Sequence, residues 1–201
     1  MTKSLSILVQ PFRSRPLSSS FYMRALRCML CSLLISIAAP LAIPLPFCPV
    51  PIVLQVQLCL FFAAIYGARE GLCIVLLFLL QGALGAPVFA GGTSGFIFLL
   101  GPHGGYLIGY ALGAFCTGKI VEIYKKQSVL AMIIGNFIVY MVAAIHLSSF
   151  ISFQQACLLG VLPYIPLDLT KVVLMATLKE KYITPRAVSY THLTLPTSDL
   201  V

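Results

Sequence analysis

A carboxylate and an ammonium group stand three residues apart in an otherwise apolar segment. Asp168 and Lys171 share one face of any helix that contains both, because residues i and i+3 are neighbours on a helix surface. Pro166 favours a helix start just before them, which puts Asp168 in the first turn, where the helix dipole stabilises a carboxylate. The pair can bind a small polar ligand or form a structural salt bridge, and we favour the ligand site.

A second motif, GAFCTGK at Gly113–Lys119, matches the GxxxxGK pattern of a phosphate-binding loop. The Ser or Thr that would bind Mg²⁺ is missing, because Ile120 follows the lysine. His103 and His146 are predicted to be packing residues near helix ends, and no nucleophile and base are spaced as in a hydrolase. We therefore predict that the chain is not an enzyme, does not hydrolyse ATP by itself and needs no cofactor or metal ion.

The composition indicates which elements must position these side chains. Hydrophobic residues make up 60% of the chain and charged residues 9%, and the mean hydropathy is +1.02. A soluble domain carries about 25% charged residues, so lipid must surround most of this chain. Residues 28–68, 71–118 and 127–167 lack Asp, Glu, Lys and Arg, and each stretch is long enough for two spans of about 20 residues. The sequence therefore predicts an all-α membrane protein with six transmembrane helices.

Positive residues indicate how those helices are oriented. They occur before the first predicted span, between the second and third, between the fourth and fifth, and after the sixth, whereas the other connections are uncharged. By the positive-inside rule, both termini face the cytoplasm. The net charge of +8 is thus a topology signal. Because the basic residues are spread over four loops, we expect no nucleic-acid partner.

This topology places Asp168 deep in the bilayer. About 16 Å of helix separates it from Lys179 at the predicted cytoplasmic end. Each charge costs about 2.5–3.5 kcal/mol at the middle of a transmembrane helix, and ionisable residues found there are functional by default. That cost is the reason for favouring a ligand site over a purely structural pair.

Composition also divides the chain. Residues 1–21 are predicted to be a polar cytoplasmic arm, residues 22–182 the six-helix domain, and residues 187–201 a tail that is non-native or disordered. The glycine-rich segment 86–101 is predicted to be an external lid or re-entrant loop between helices 3 and 4. Irregular backbone at membrane depth must be covered by protein or line a cavity.

Cys28, Ser32 and Ser36, here called the small-residue stripe, lie four residues apart on the first predicted span. Small side chains at this spacing permit close contact with another helix. The neighbouring helix can belong to a partner protein or to the same bundle, and both interpretations stay open.

Five short motifs are spread along the predicted helices. They are PVPIVLQ at Pro49–Gln55, GAREG at Gly67–Gly71, GAPVFAGGTSG at Gly85–Gly95, GPHGGYLIGY at Gly101–Tyr110 and LPYIPLDLTK at Leu162–Lys171. Together with the six-span pattern they resemble the BioY family, the biotin-binding S components of bacterial energy-coupling-factor (ECF) transporters. The resemblance covers almost all of residues 22–182.

The resemblance implies a function and a set of contacts. A BioY-like chain would sit in the bacterial cytoplasmic membrane, capture biotin from outside and deliver it with an ECF transmembrane coupling protein and two ATPase subunits. Asp168 would accept hydrogen bonds from the ureido ring and Lys171 would meet the carboxylate, with the assignment of the two ends left open. The small-residue stripe would dock the coupling protein. Further substrate-binding residues would be Thr93, Gly91, Gly92, Gln55 and Tyr106.

A self-sufficient transporter is the alternative. A secondary transporter or channel for a small anion or amino acid would need a site for its coupling ion, and Asp168 is the only acid within the predicted spans. Binding of biotin and of amino acids to the purified chain distinguishes the two functions.

Overall fold

Helices make up the regular structure of the part of the chain that the structure describes. The structure is a computed structural model that describes residues 17–38, 42, 51–124 and 127–183. No strand occurs within these residues, so the predicted all-α fold is confirmed. Most of the predicted arm 1–21 and the whole tail 187–201 lie outside them. The helices are α1 (Leu17–Ile37), α2 (Gln55–Tyr66), α3 (Ala68–Ala83), α4 (Phe96–Leu100), α5 (Gly104–Ile123), α6 (Ser128–Leu147), α7 (Phe153–Gly160) and α8 (Ile165–Leu178), with a 3₁₀ turn at Ala90–Gly92 and a π-helical turn at Lys179–Ile183.

Two of these helices, α5 and α6, are long and apolar enough to cross a membrane on their own. α7 and α8 form a third candidate if they are taken together, with a bend of 49° between them. Pro163 and Pro166 lie at this bend, where the sequence predicts a short helix to end. α2 is apolar but has only 12 residues. The count of six spans and their orientation stay predictions.

Glycines bring α5 close to its neighbours. A Cβ atom on Gly113 would lie 2.7 Å from the carbonyl oxygen of Gly135 in α6, and one on Gly118 would lie 2.4 Å from the Cα of Ala68 in α3. These distances leave no room for a side chain. The glycines of the GAFCTGK motif therefore serve helix packing, as small residues do in membrane bundles.

An acid from α5 closes the turn between α2 and α3. Gly67 has a φ of +88°, which glycine adopts without strain. The Glu122 carboxylate accepts a hydrogen bond from the Ala68 N–H at 2.8 Å. A carboxylate at the start of α3 satisfies an N–H that has no helical partner and interacts favourably with the helix dipole. Three helices thus meet at this end of the bundle.

A salt bridge joins α1 to α3 at the same end. Arg27 Nη2 lies 3.1 Å and 3.0 Å from the two carboxylate oxygens of Glu70. Arg24 Nε lies 3.9 Å from one of them. The Arg27 guanidinium also sits 5.4 Å from the centre of the Tyr66 ring, within cation–π range. α1 is therefore held to α3 by charge as well as by packing.

The small-residue stripe faces α3. Cys28 and Ser32 are buried, and the Ser36 hydroxyl donates to Gln81 Oε1 at 2.9 Å. Gln81 Nε2 in turn donates to the Ser32 hydroxyl oxygen at 3.0 Å. Ser32 and Ser36 thus hydrogen-bond to α3, whereas docking of a coupling protein on the stripe stays a prediction. Internal packing, the other interpretation of the stripe, agrees with these contacts.

Candidate functional site

A small cavity lies between α2, α5, α6 and α8. It measures about 30 Å³, which is room for about two water molecules. Asp168 is the charged residue of its wall, so the predicted ligand-binding acid does face an internal space. The lining consists of four tyrosines, four apolar residues and this acid: Pro51, Val53, Val56, Tyr106, Tyr110, Val139, Tyr140, Tyr164 and Asp168.

Asp168 has a donor on each of its carboxylate oxygens. It lies in the first turn of α8, which has a proline at its start. Lys171 Nζ is 2.8 Å from Oδ1, and the Tyr140 hydroxyl donates to Oδ2 at 2.5 Å. The residue is only 5% exposed. These donors compensate for the hydration that the carboxylate loses inside the bundle.

Lys171 connects α8 to the chain that precedes α2. Its ammonium group donates to the Val53 carbonyl at 2.9 Å as well as to Asp168. An ammonium carries three N–H donors, so one is left that no described residue takes up. The Lys171 side chain is 21% exposed and that of Asp168 is 7% exposed. Lys171 is therefore the member of the pair that an anionic group reaches first.

Tyr106 lies in the cavity wall and is buried. Its hydroxyl donates to the carbonyl of Gly160, the last residue of α7, where carbonyls lack helical partners. A Cβ atom on Gly160 would come within 2.8 Å of this hydroxyl oxygen. The contact ties α5 to the bend between α7 and α8, and this bend positions Asp168 at the cavity.

Gln55 anchors the glycine-rich segment and does not line the cavity. Its side-chain nitrogen donates to the Val88 carbonyl at 2.7 Å, and the residue is 1% exposed. Phe89, the residue after Val88, is fully buried where Gly82 leaves space for its ring. This ring stacks with that of Phe98 at 5.4 Å between ring centres. Gln55 thus holds the glycine-rich segment, and its role in ligand binding stays a prediction.

The tip of the glycine-rich segment lies away from the cavity. Gly91, Gly92 and Thr93 are exposed, and none of them belongs to the cavity lining. The Thr93 hydroxyl donates to the Ala90 carbonyl at 3.0 Å. The positive φ angles of Gly91 and Gly92, 71° and 75°, turn the backbone at this point. A ligand contact of the tip therefore stays a prediction, and it requires the segment to move.

Two groups that hydrogen-bond the ion pair, the Tyr140 hydroxyl and the Val53 carbonyl, are absent from the sequence prediction. A backbone carbonyl leaves no trace in residue type, and a tyrosine inside an apolar span carries no charge that would mark it. The sequence feature that could have marked Tyr140 is Asn136, a polar residue four positions earlier on the same face of α6.

Two buried amide side chains have polar atoms without a hydrogen-bond partner among the described residues. Gln57 is 0% exposed, and neither of its side-chain polar atoms has a partner among the described residues. Asn136 Oδ1 also lacks one. Leaving such groups unpaired costs about 1–3 kcal/mol. Gln57 follows the cavity residue Val56, so its unpaired atoms lie next to the candidate site along the chain.

Comparison with known proteins identifies relatives over most of the chain. The model of the BioY family matches residues 11–186. The probable biotin transporter BioY of Pyrococcus horikoshii is 34% identical over 133 residues, which are 66% of this chain and 80% of that protein. The biotin transporter BioY of Thermotoga maritima is 36% identical over 148 residues, 71% of this chain and 85% of that protein.

The fold agrees with these sequence matches. The crystal structure of the S-component for biotin from an ECF-type ABC transporter is similar, with a TM-score of 0.72 and 26% sequence identity. The match covers 83% of this chain and 96% of that one. The buried ion pair thus lies in a helical membrane fold similar to that of this S-component, and the chain belongs to the BioY family.

Proposed function

We propose that the chain binds biotin and is the substrate-binding subunit of a biotin uptake system. The observation that carries the proposal is the buried pair of Asp168 and Lys171, held by Tyr140 at a cavity inside the bundle. Relatives that span most of the chain are named biotin transporters. Ionisable residues inside a membrane bundle are functional by default.

The chemistry of the pair suits both ends of biotin. The ureido ring offers two N–H donors and a carbonyl acceptor, and the far end of the molecule carries a carboxylate. Asp168 accepts from the N–H groups, and the Tyr140 hydroxyl can donate or accept. Lys171 binds the carboxylate as a point charge. Since its ammonium now contacts Asp168 at 2.8 Å, Lys171 must swing away to reach the other end of the ligand.

Binding must also enlarge the cavity. Pockets for small molecules measure about 300–1,000 Å³, whereas this one measures about 30 Å³. The ligand carboxylate can replace the Val53 carbonyl on Lys171 and so release the chain before α2. The glycine-rich segment, with Gln55 at its anchor and Gly91, Gly92 and Thr93 at its tip, then closes over biotin.

The proposal extends to the assembly. The similar crystal structure is described as an S-component from an ECF-type ABC transporter. The present chain would cross the bacterial cytoplasmic membrane six times with both termini inside, and would pass biotin to an ECF coupling protein served by two ATPase subunits. ATP would be used by those subunits alone, and this chain would need no cofactor.

Titration of the purified chain with biotin and with biotin amide tests the function. Lys171→Ala should weaken biotin binding by roughly thirty- to several thousand-fold, because losing a charge-assisted contact in a dry site costs about 2–5 kcal/mol. Biotin amide should bind the parent weakly but lose little more in the variant. Lys119→Ala removes an exposed lysine and should bind biotin like the parent.

Two results would contradict the proposal. Normal biotin binding by Lys171→Ala would make the pair a structural bridge. Binding of amino acids or small anions in place of biotin would favour the self-sufficient transporter instead.

A further inference from the structure

An apolar groove runs along the outer surface of α3 and α5. It has a volume of about 420 Å³ and is lined by four leucines and a cysteine of α3 and by Phe115 of α5. Leu76 and Leu80, two of those leucines, are 51% and 54% exposed. Arg69 is the one charged residue of the lining. The groove therefore combines an apolar wall with a cation at one end.

The charge of Arg69 is not neutralised within the described part of the chain. Its side chain is exposed and takes part in none of the ion pairs found there. The adjacent acid, Glu70, is engaged by Arg24 and Arg27 from α1. A guanidinium group in this state suits a phosphate, which it can bind through two parallel N–H groups.

The groove has the length of one lipid leaflet. Arg69, Leu72, Leu76 and Leu80 lie three or four residues apart, so they share one face of α3. The helix rises about 16 Å between Arg69 and Leu80, and half of a hydrocarbon core is about 15 Å. An acyl chain laid along the leucines from a head group at Arg69 would end near the middle of the bilayer.

We propose that this groove binds an anionic phospholipid, with its phosphate on Arg69 and one acyl chain along the leucines. Basic residues at the cytoplasmic ends of membrane helices attract anionic head groups, and the predicted orientation puts Arg69 at that end. The occupant is a lipid and not a protein helix, because contacts between membrane helices favour small residues, whereas four leucines and a phenylalanine line this groove. This wall is apolar along its whole length.

Native mass spectrometry of the purified full chain tests the site. The probes are phosphatidylglycerol and phosphatidylcholine with identical acyl chains, offered together in detergent. The parent should retain phosphatidylglycerol about fivefold better, since one basic side chain contributes about that factor near an anionic head group. Arg69→Gln should bind both lipids equally. Lys119→Gln removes an exposed lysine of α5 and should keep the preference.

A variant that fills the groove separates the acyl-chain contact from the charge. Leu76→Trp should lose both lipids from this site, and thermal unfolding in detergent shows whether the variant folds. The proposal is wrong if the parent has no preference, if Arg69→Gln keeps it, or if Lys119→Gln loses it as completely. It is also wrong if assembly with a coupling protein expels phosphatidylglycerol, because the groove is then a protein interface.

Discussion

The ion pair within α8 and the ion pair between α1 and α3 differ in what they join. Asp168 and Lys171 lie in one helix, three residues apart, so their bond joins no two helices. Arg27 and Glu70 are separated by 43 residues and join two helices directly. Burying a pair costs desolvation in either case. In α8 the ion pair adds little to the fold and supplies groups for binding, whereas the pair of Arg27 and Glu70 holds α1 in place.

The largest effect should come from Asp168→Asn, which keeps the size of the side chain and removes its charge. Biotin affinity should fall by about 2–5 kcal/mol, while the unfolding temperature changes little, because Lys171 keeps its bond to the Val53 carbonyl. Biotin titration and thermal unfolding of the same preparation measure both. Unchanged affinity with a lower unfolding temperature would give the two ion pairs the same role.

Glu70→Gln should show the reverse pattern. The free energy of unfolding should fall, toward the lower end of about 1.5–3 kcal/mol, because a hydrogen bond to a charged group is lost and Arg27 is 25% exposed. Biotin affinity should not change. Denaturation in detergent measures the stability, and Arg69→Gln is the matched control, since it removes a neighbouring charge that makes no ion pair. Equal stability of Glu70→Gln and the parent would show that the bridge does not hold α1.

Ser32→Leu tests whether the contact between α1 and α3 is also one of packing. Ser32 is 0% exposed, so the larger side chain should lower the free energy of unfolding by about 1–3 kcal/mol. Leu34→Met, at an exposed position of α1, should not lower it. A Ser32→Leu variant that is stable and binds biotin but fails to assemble with a coupling protein would support the docking role of the stripe.

The smallest effect should be a gain. Gln57→Leu removes a fully buried amide without a described partner and should raise the free energy of unfolding by about 1 kcal/mol. Gln55→Leu is the contrasting variant, because its amide donates to Val88, and it should lower stability. A loss of stability in Gln57→Leu as well would mean that the Gln57 amide is paired after all.

Local sequence patterns predict much of the fold. Long-range contacts explain where the observed helices differ from the predicted ones. The sequence predicts a span over about residues 128–149, because Ser128 follows a charged loop and the apolar run is continuous, and α6 extends over Ser128–Leu147. The uncharged run predicts that the third span starts at Gly71, but α3 begins three residues earlier, at Ala68. Gly67 ends α2, and Glu122 of α5 caps the next helix. That cap joins residues 54 positions apart, so no local pattern reveals it.

The site was predictable where its chemistry is local. Two charges in an apolar run mark Asp168 and Lys171 without any knowledge of their neighbours. The Tyr140 hydroxyl is 28 residues from Asp168 along the chain and the Val53 carbonyl is 118 from Lys171, so only the fold brings them together. The small-residue stripe shows the opposite case. Its spacing predicts a close helix contact, but spacing alone does not say which helix fills it.

The glycines of α5 also determine how this helix tolerates mutation. A new side chain at Gly113 would meet a backbone oxygen, and one at Gly118 a backbone carbon, neither of which can rotate away. Lys119 is exposed and only loosely paired with Glu122 at 3.8 Å. In a randomised library selected for a functional chain, only glycine should be accepted at positions 113 and 118, whereas many residue types should be accepted at position 119. A true phosphate-binding loop would retain its lysine. The accepted substitutions therefore show whether the GAFCTGK residues serve helix packing or phosphate binding.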